Sequence, residues 1–164
     1  MPASEADLMA RLADLGIATT TLRHPPLFTV EESQRHRGDL PGGHAKNLFL
    51  KDKKGALWLV VAREDLKLDL NRLDGRLGSA RLSFGKPELL LEVLGVVPGS
   101  VTPFALINDT TQRVTVVLDA GLMAQDPLHF HPLTNEATTR IAGPDLLRFI
   151  AACGHVPRTL RLEG

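Results

Sequence analysis

One cysteine, no net charge and no long apolar run are what the 164-residue chain has least of. Cys153 alone cannot close an internal disulfide, and structural zinc sites built from several cysteines are excluded with it. No apolar stretch approaches the ~20 residues that a membrane helix needs. The opening residues, Met1 to Asp14, carry Glu5, Asp7, Arg11 and Asp14 and lack a signal-peptide core. The expected compartment is therefore the cytoplasm, with no membrane partner. Nineteen Lys and Arg residues match nineteen Asp and Glu residues. That balance argues against a chain-wide coat for nucleic acid and against a membrane-surface binder. Repeats, low-complexity segments and separating linkers are missing too, so residues 1–164 are expected to form one domain. What is present suits this: 43% hydrophobic and 23% charged residues are too apolar for disorder. The length suffices to bury a core without cross-links.

The neutrality is uneven. Between His44 and Lys86 stand ten basic residues (Lys46, Lys51, Lys53, Lys54, Arg63, Lys67, Arg72, Arg76, Arg81, Lys86) against five acidic ones (Asp52, Glu64, Asp65, Asp69, Asp74), so this stretch carries +5 and the remainder −5. Such asymmetry points to an anionic partner at one face, although a basic solvated surface gives the same count.

Ser4 and Asp7 resemble a capping box, with Asp a weaker partner than Glu or Gln, and Leu8, Leu12 and Leu15 continue at helical spacing to Gly16. Thr19 to Leu22 is β-prone, and His24-Pro25-Pro26 cannot lie inside a helix. Thr29 with Glu32 predicts a short helix to about Arg37, followed by a loop through Gly38, Pro41, Gly42 and Gly43. His44–Lys51, Ala56–Ala62 and Ala80–Phe84 read as strands, the first two joined by the hairpin signal Asp52-Lys53-Lys54-Gly55. Leu66, Leu70, Leu73 and Leu77 predict a helix ended by Gly78, and Pro87 opens another that runs to Gly95. Val101–Ile107, Val114–Leu118, Leu128–His131, Thr138–Ile141 and His155–Leu162 are strand candidates, with a helix from Gly143 to about Ala152. Irregular interleaving of this kind predicts an α+β fold around a mixed sheet.

Lys46 is the most informative position. In a strand it shares a face with Leu48 and Leu50, while Asn47 shares the other with Ala45 and Phe49. A lysine on an apolar face must find a partner, line a cavity or snorkel to the sheet edge. The stretch Gly95-Val96-Val97-Pro98-Gly99-Ser100 places glycines where successive amides can face an anion, but most Pro-Gly pairs are only turns. The Lys-Ser/Thr ending of a P-loop is missing. Ser100 has no nucleophile elbow around it. His129 and His131 share a strand face and could chelate a metal, with a third ligand needed from His24, His44, His155 or Cys153; such pairs are more often ordinary surface or hydrogen-bonded histidines. Cys153, beside Phe149, Ile150, Ala151 and Ala152, reads as a small buried hydrophobe rather than a nucleophile.

Four segments in order resemble one family. His24-Pro25-Pro26-Leu27-Phe28-Thr29-Val30-Glu31-Glu32 resembles the opening segment of the YbaK/prolyl-tRNA synthetase editing-domain superfamily, and Lys46-Asn47-Leu48-Phe49-Leu50 its central strand. Gly95 to Phe104 resembles its Gly-x-x-Pro-Gly loop. His131-Pro132-Leu133-Thr134-Asn135 with Thr138-Thr139 is similar to the freestanding branch often called ProX or PrdX. The resemblance implies a mixed α+β domain around a curved sheet that hydrolyses mischarged aminoacyl-tRNA in trans. For this branch it implies removal of alanine from tRNA for proline. The alternatives are removal of cysteine, a non-catalytic tRNA-binding module of the same fold, and the metal hydrolase that His129 and His131 would require.

The resemblance also implies roles. The family's catalytic lysine falls on Lys46, where a cation can hold the terminal phosphate or polarise the ester carbonyl. Asn47 would hydrogen-bond the substrate, and the backbone at Gly99 and Ser100 would contact the aminoacyl group. Phe28, Thr29, Val30 and His131 are assigned to the substrate pocket. The substrate's own 2′-hydroxyl is implied in activating water, so neither a catalytic triad, a cofactor nor a metal is expected. A small hydrolytic pocket is the double-sieve answer to a synthetase that cannot exclude a smaller amino acid. The implied partners are the tRNA acceptor stem and, alongside it, prolyl-tRNA synthetase. Lys51, Lys53, Lys54, Arg72, Arg76 and Arg81 are the candidates for stem contacts; Arg72 and Arg76, four apart, share a helix face.

Overall fold

The computed structural model describes residues 2–26 and 42–162. The helix predicted from Thr29 and Glu32, with the loop through Gly38 and Pro41, lies outside them. Helix α1 spans Glu5–Asp14 and carries a complete capping box: the Asp7 amide donates to Ser4 Oγ at 3.1 Å and the Ser4 amide to Asp7 Oδ2 at 2.9 Å. The shorter acid thus closes the box. Leu8 and Leu12 point into the core.

Strands β1 (Thr20–Arg23), β2 (Gly43–Asp52) and β3 (Leu57–Arg63) precede helix α2 (Leu70–Leu77), β4 (Leu82–Phe84) and α3 (Pro87–Leu94). A 3₁₀ helix (Pro103–Asn108), β5 (Val114–Asp119), α4 (Ala120–Met123), β6 (Leu128–Phe130), β7 (Ala137–Ile141), α5 (Gly143–Ala152) and β8 (Arg158–Leu160) follow. The described strands form one eight-stranded sheet in the order β1-β7-β6-β2-β3-β5-β8, with β4 paired to β2 off that path. β2 runs parallel to β6, β3 to β5 and β5 to β8, and the other pairs are antiparallel. This is the expected α+β fold with a mixed sheet.

β3 lies between β2 and β5, and its first six residues are all buried. Alternation divides them between two cores. Leu57, Leu59 and Val61 face the larger one with Phe104, Phe130 and Phe149. Trp58, Val60 and Ala62 face a smaller one with Leu50, Leu73, Leu77 and Leu82.

Two elements differ from the sequence expectation. Val101–Ile107 is not a strand: Thr102 Oγ1 accepts the Phe104 amide at 3.2 Å and Pro103 supplies a preset φ, which together start the 3₁₀ helix. The helix expected from Leu66 starts only at Leu70, where Asp69 caps the Asn71 amide at 2.9 Å. The last strand shrinks to Arg158–Leu160, and α4 carried no sequence signal.

β2 changes partners along its length. Its start pairs with β6 at Gly43 and His44, and its end pairs with β4 from Leu50 to Asp52. Between them the edge facing away from β3 has no strand partner among the described residues. The His44 carbonyl accepts the Glu64 amide from the β3 side, so by alternation the backbone groups of Asn47 point the other way, into this gap. Gly85 closes its lower end. Its amide donates to the Phe49 carbonyl at 2.9 Å, and a Cβ on it would lie 2.3 Å from the Phe49 ring.

Candidate active site

The interrupted edge of β2 carries the two residues that the sequence singles out. Lys46 pairs with Ala62 and projects on the smaller-core face, and Asn47 pairs with Val61 and projects on the larger-core face. Lys46 is half-buried, and its Nζ donates to the Leu66 carbonyl in the segment between β3 and α2. This is the partner that a lysine on an apolar face requires. Burial lowers the Lys46 pKa from the ordinary 10.5, while the Asp65 carboxylate opposes the shift. An ammonium has three donors, so protons beyond the one on Leu66 remain for an incoming anion or carbonyl. Asn47 Oδ1 is buried with no hydrogen-bond partner among the described residues. An orphan acceptor of this kind costs stability unless a ligand satisfies it.

Across the gap, β6 leaves β2 after His129, the partner of His44, and His131 follows two residues later. His131 Nδ1 donates to the Ala137 carbonyl at 2.9 Å, which leaves Nε2 as the acceptor of a neutral ring. Burial lowers the His131 pKa from 6.5 and the neighbouring His24 pushes the same way, against the Ala137 hydrogen bond. The His24 ring stands edge-on to His131, centroids 6.1 Å apart. His24 is fixed by the Pro25 carbonyl and the Thr138 hydroxyl, each at 2.8 Å, and its amide donates to the Glu136 carbonyl at 3.0 Å. The chain thus enters residues 27–41 from a fixed point beside His131. Phe28, Thr29 and Val30 lie outside the described residues.

The segment that follows the Gly-rich loop packs into the aromatic core behind this region. Phe104, in that segment, meets Phe130 edge-on at 6.0 Å, one residue before His131. Gly99 adopts φ +93°, a region that glycine enters without strain. Ser100 is buried, and its amide donates to the Val97 carbonyl at 3.0 Å. That amide is committed to the turn, so the cradle of successive amides envisaged from the sequence loses one member.

His129 stacks on His44 with centroids 4.5 Å apart, while His131 pairs with His24. The two histidines thus have separate partners, and among the described residues no three of His, Cys, Asp and Glu gather to hold a metal ion. Burial pushes the Cys153 thiol up to about 11, against the pull of Arg11, as suits a protonated, unreactive side chain. No described helix is long and apolar enough to cross a membrane.

The aminoacyl-tRNA editing domain family matches residues 24–149, from the His24 anchor through the Gly-rich loop and His131 into α5. The chain belongs to the aminoacyl-tRNA editing-domain family. A prolyl-tRNA synthetase associated domain-containing protein 1 from Danio rerio is 46% identical over 154 residues, 93% of this chain and 84% of that protein. The prolyl-tRNA editing protein ProX of Acetoanaerobium sticklandii is 36% identical over 163 residues, 99% of each chain. A crystal structure assigned provisionally as a trans-editing enzyme for prolyl tRNA synthetase matches with a TM-score of 0.72 at 23% identity, covering 100% of both chains. The hypothetical protein APE2540 gives 0.74 at 20% identity, over 96% of this chain and 99% of that one. At those identities the structural likeness speaks for the fold.

The basic candidates of this editing domain fall on the half of the sheet built from β2, β3 and β4. Lys51, Lys53 and Lys54 are exposed at the end of β2 and in the hairpin, and Arg81 is exposed just before β4. The Lys53 amide donates to the Arg81 carbonyl at 2.9 Å, which joins the two segments. Arg72 and Arg76 are exposed on α2, and Arg76 also donates to the Arg161 carbonyl at 2.9 Å. Sequence reasoning left His24, Thr138 and the Leu66 carbonyl out of the site. Only the Pro-Pro pair after His24 hinted at the fixed point found there.

Proposed function

We propose that this protein is a trans-acting deacylase that hydrolyses the ester of tRNA for proline mischarged with alanine. The observation that carries the reading is the stretch of β2 without a strand partner among the described residues, where a half-buried ammonium and an unpartnered buried amide oxygen flank one backbone edge. The prolyl-tRNA editing protein ProX among its relatives supports this choice of tRNA.

In this reading Lys46 directs its remaining protons at the phosphate or ester carbonyl of the terminal nucleotide, where charge grows as water adds. Asn47 completes its amide hydrogen bonds with the substrate. The backbone at Gly99 and Ser100 borders the aminoacyl group. His131 forms a wall of the pocket and offers Nε2 as an acceptor, and Phe28, Thr29 and Val30 complete the enclosure. The 2′-hydroxyl of the substrate activates the water, so the protein supplies positioning and charge rather than a base. Lys51, Lys53, Lys54, Arg72, Arg76 and Arg81 contact acceptor-stem phosphates and set register. A pocket that accepts alanine and excludes proline makes the pair with prolyl-tRNA synthetase a double sieve.

A deacylation panel tests this directly. Tritiated Ala-, Cys-, Ser- and Pro-tRNA for proline are incubated with the protein, and the released amino acid is followed. Rapid loss of alanine with Pro-tRNA spared is the expected result. Preferential loss of cysteine would move the substrate to the alternative. Binding of tRNA without any release above the spontaneous rate would reduce the protein to a tRNA-binding module.

A further inference from the structure

Phe84 is the one aromatic side chain that the described structure leaves largely in solvent, 63% exposed. It ends β4 opposite Leu50 of β2, and directly opposed residues of an antiparallel pair share a face. That face is also the Lys46 face, because Lys46, Leu48 and Leu50 alternate onto it. The backbone that carries the ring is anchored on both sides. Two residues earlier Leu82 is buried in the smaller core, and one residue later the Gly85 amide is bonded to Phe49. Arg81 and Lys86 lie near it in sequence, and Lys51 and Lys53 lie on the neighbouring strand end and hairpin, all four exposed; by alternation Lys51 and Arg81 project from the other face of the sheet. The acid among them, Asp52, is buried and accepts the amides of Lys54, Ala56 and Ala80. An exposed aromatic ring on a strand whose ends carry exposed cations can stack a base of a single strand while the cations, reaching from the other face, hold the neighbouring phosphates.

We propose that Phe84 is a stacking platform for an unpaired base of the substrate's 3′ strand. The inference rests on the deacylase reading above and extends it to a second subsite. Leu50 is four residues along β2 from Lys46, roughly 13 Å at strand rise. A stacked strand advances roughly 3.4 Å per nucleotide, so the base on Phe84 lies within about four nucleotides of the aminoacylated adenosine. This subsite holds the single strand while Lys46 holds its end.

The test compares Phe84→Ala, Phe84→Leu and Phe84→Tyr on two substrates, alanyl-tRNA for proline and alanyl-adenosine, which lacks every upstream base. Loss of one stacked base corresponds to about a 5- to 150-fold weakening. Phe84→Ala should raise KM for alanyl-tRNA by that factor relative to KM for alanyl-adenosine, with the effect in KM rather than kcat. Phe84→Leu should resemble Phe84→Ala, and Phe84→Tyr should resemble the parent. Equal effects on both substrates, or a Leu variant that matches the parent, would overturn the proposal. A fluorescent single-stranded RNA ending in CCA gives an activity-independent reading. If the parent protein hydrolyses nothing, the deacylase reading fails while anisotropy still decides the subsite: Phe84→Ala must weaken binding at least fivefold, and an unchanged Kd refutes it.

Discussion

Replacing Lys46 with methionine separates chemistry from stability. The substitution keeps the aliphatic stem over Leu48 and Ala62 and removes the ammonium. One hydrogen bond disappears from the free protein, the one to the Leu66 carbonyl. A charged hydrogen bond contributes about 1.5–3 kcal/mol, but removing the ion also removes its desolvation cost, already visible in the lowered Lys46 pKa. These terms oppose each other, so the net stability change should stay within about 1 kcal/mol. Turnover should respond differently. Removing a donor aimed at developing negative charge costs about 2.7–4 kcal/mol, or about 10²–10³ in rate. The assays are kcat/KM on alanyl-tRNA for proline and a urea titration of the same sample. Lys46→Arg keeps the charge but spreads it over a longer, planar group, so it should recover only part of the loss. A methionine variant that folds normally and deacylates within threefold of the parent would remove Lys46 from the mechanism.

His131 resists protonation when folded, because burial and His24 lower its pKa from 6.5. Its contribution to stability is present above about pH 6.5 and is lost as pH falls through the lower folded value. Urea midpoints at pH 7.5 and 5.5 should converge between the parent and His131→Gln as pH drops, and parallel pH slopes would refute this. Cys153, raised to about 11 from 9.0, should alkylate about 100-fold more slowly than a free thiol at pH 7.5 until the protein unfolds; reaction at the free rate would contradict its burial. His155→Ala removes a buried 2.9 Å hydrogen bond to Asp109, which keeps its bonds from the Arg113 and Val114 amides. A loss of about 2–3 kcal/mol in urea unfolding is expected, and under 0.5 kcal/mol would make the pair incidental. Charge reversal at Lys51 or Arg81 should reduce the slope of log KM against log salt by about 1 for each phosphate no longer neutralised, and an unchanged slope would take that residue off the stem.

Local signals carried the fold where they were strong. The Asp52–Gly55 turn, the apolar run of β3, the capping box of α1 and the Pro87 start and Gly95 stop of α3 all stand where the sequence puts them. Between Val101 and Ile107 an apolar run suggested a strand, yet the Thr102 cap and Pro103 favour a 3₁₀ helix, because the cap satisfies a helix-start amide and proline cannot donate to a sheet ladder. Alternation alone put Lys46 and Asn47 on opposite faces of β2, and the register agrees. What alternation cannot supply is pairing. That β2 has no strand partner among the described residues between His44 and Leu50 depends on where β6 and β4 attach, from distant parts of the chain. For the same reason the Leu66 carbonyl on Lys46 and the His24 ring beside His131 had no local sign.

The distribution of charge follows from the same architecture. The stretch from His44 to Lys86 carries +5, and its acids largely serve the backbone around them. Asp52 accepts three amides of the hairpin region, Asp69 caps α2, and Asp74 accepts the Gly75 amide. Asp65 lies beside Arg63 at 3.9 Å and opposes the lowering of the Lys46 pKa. Lys51, Lys53, Lys54, Arg72 and Arg81 by contrast extend into solvent. Carboxylates turned toward amides near the chain, with cations turned outward, make a face more attractive to phosphate than its net count implies. The compensating −5 lies elsewhere in the sequence and weakens the long-range field. Attraction confined to the Debye length, about 8 Å at physiological salt, suits the proposed deacylase, which would have to sample correctly charged tRNA and release it quickly.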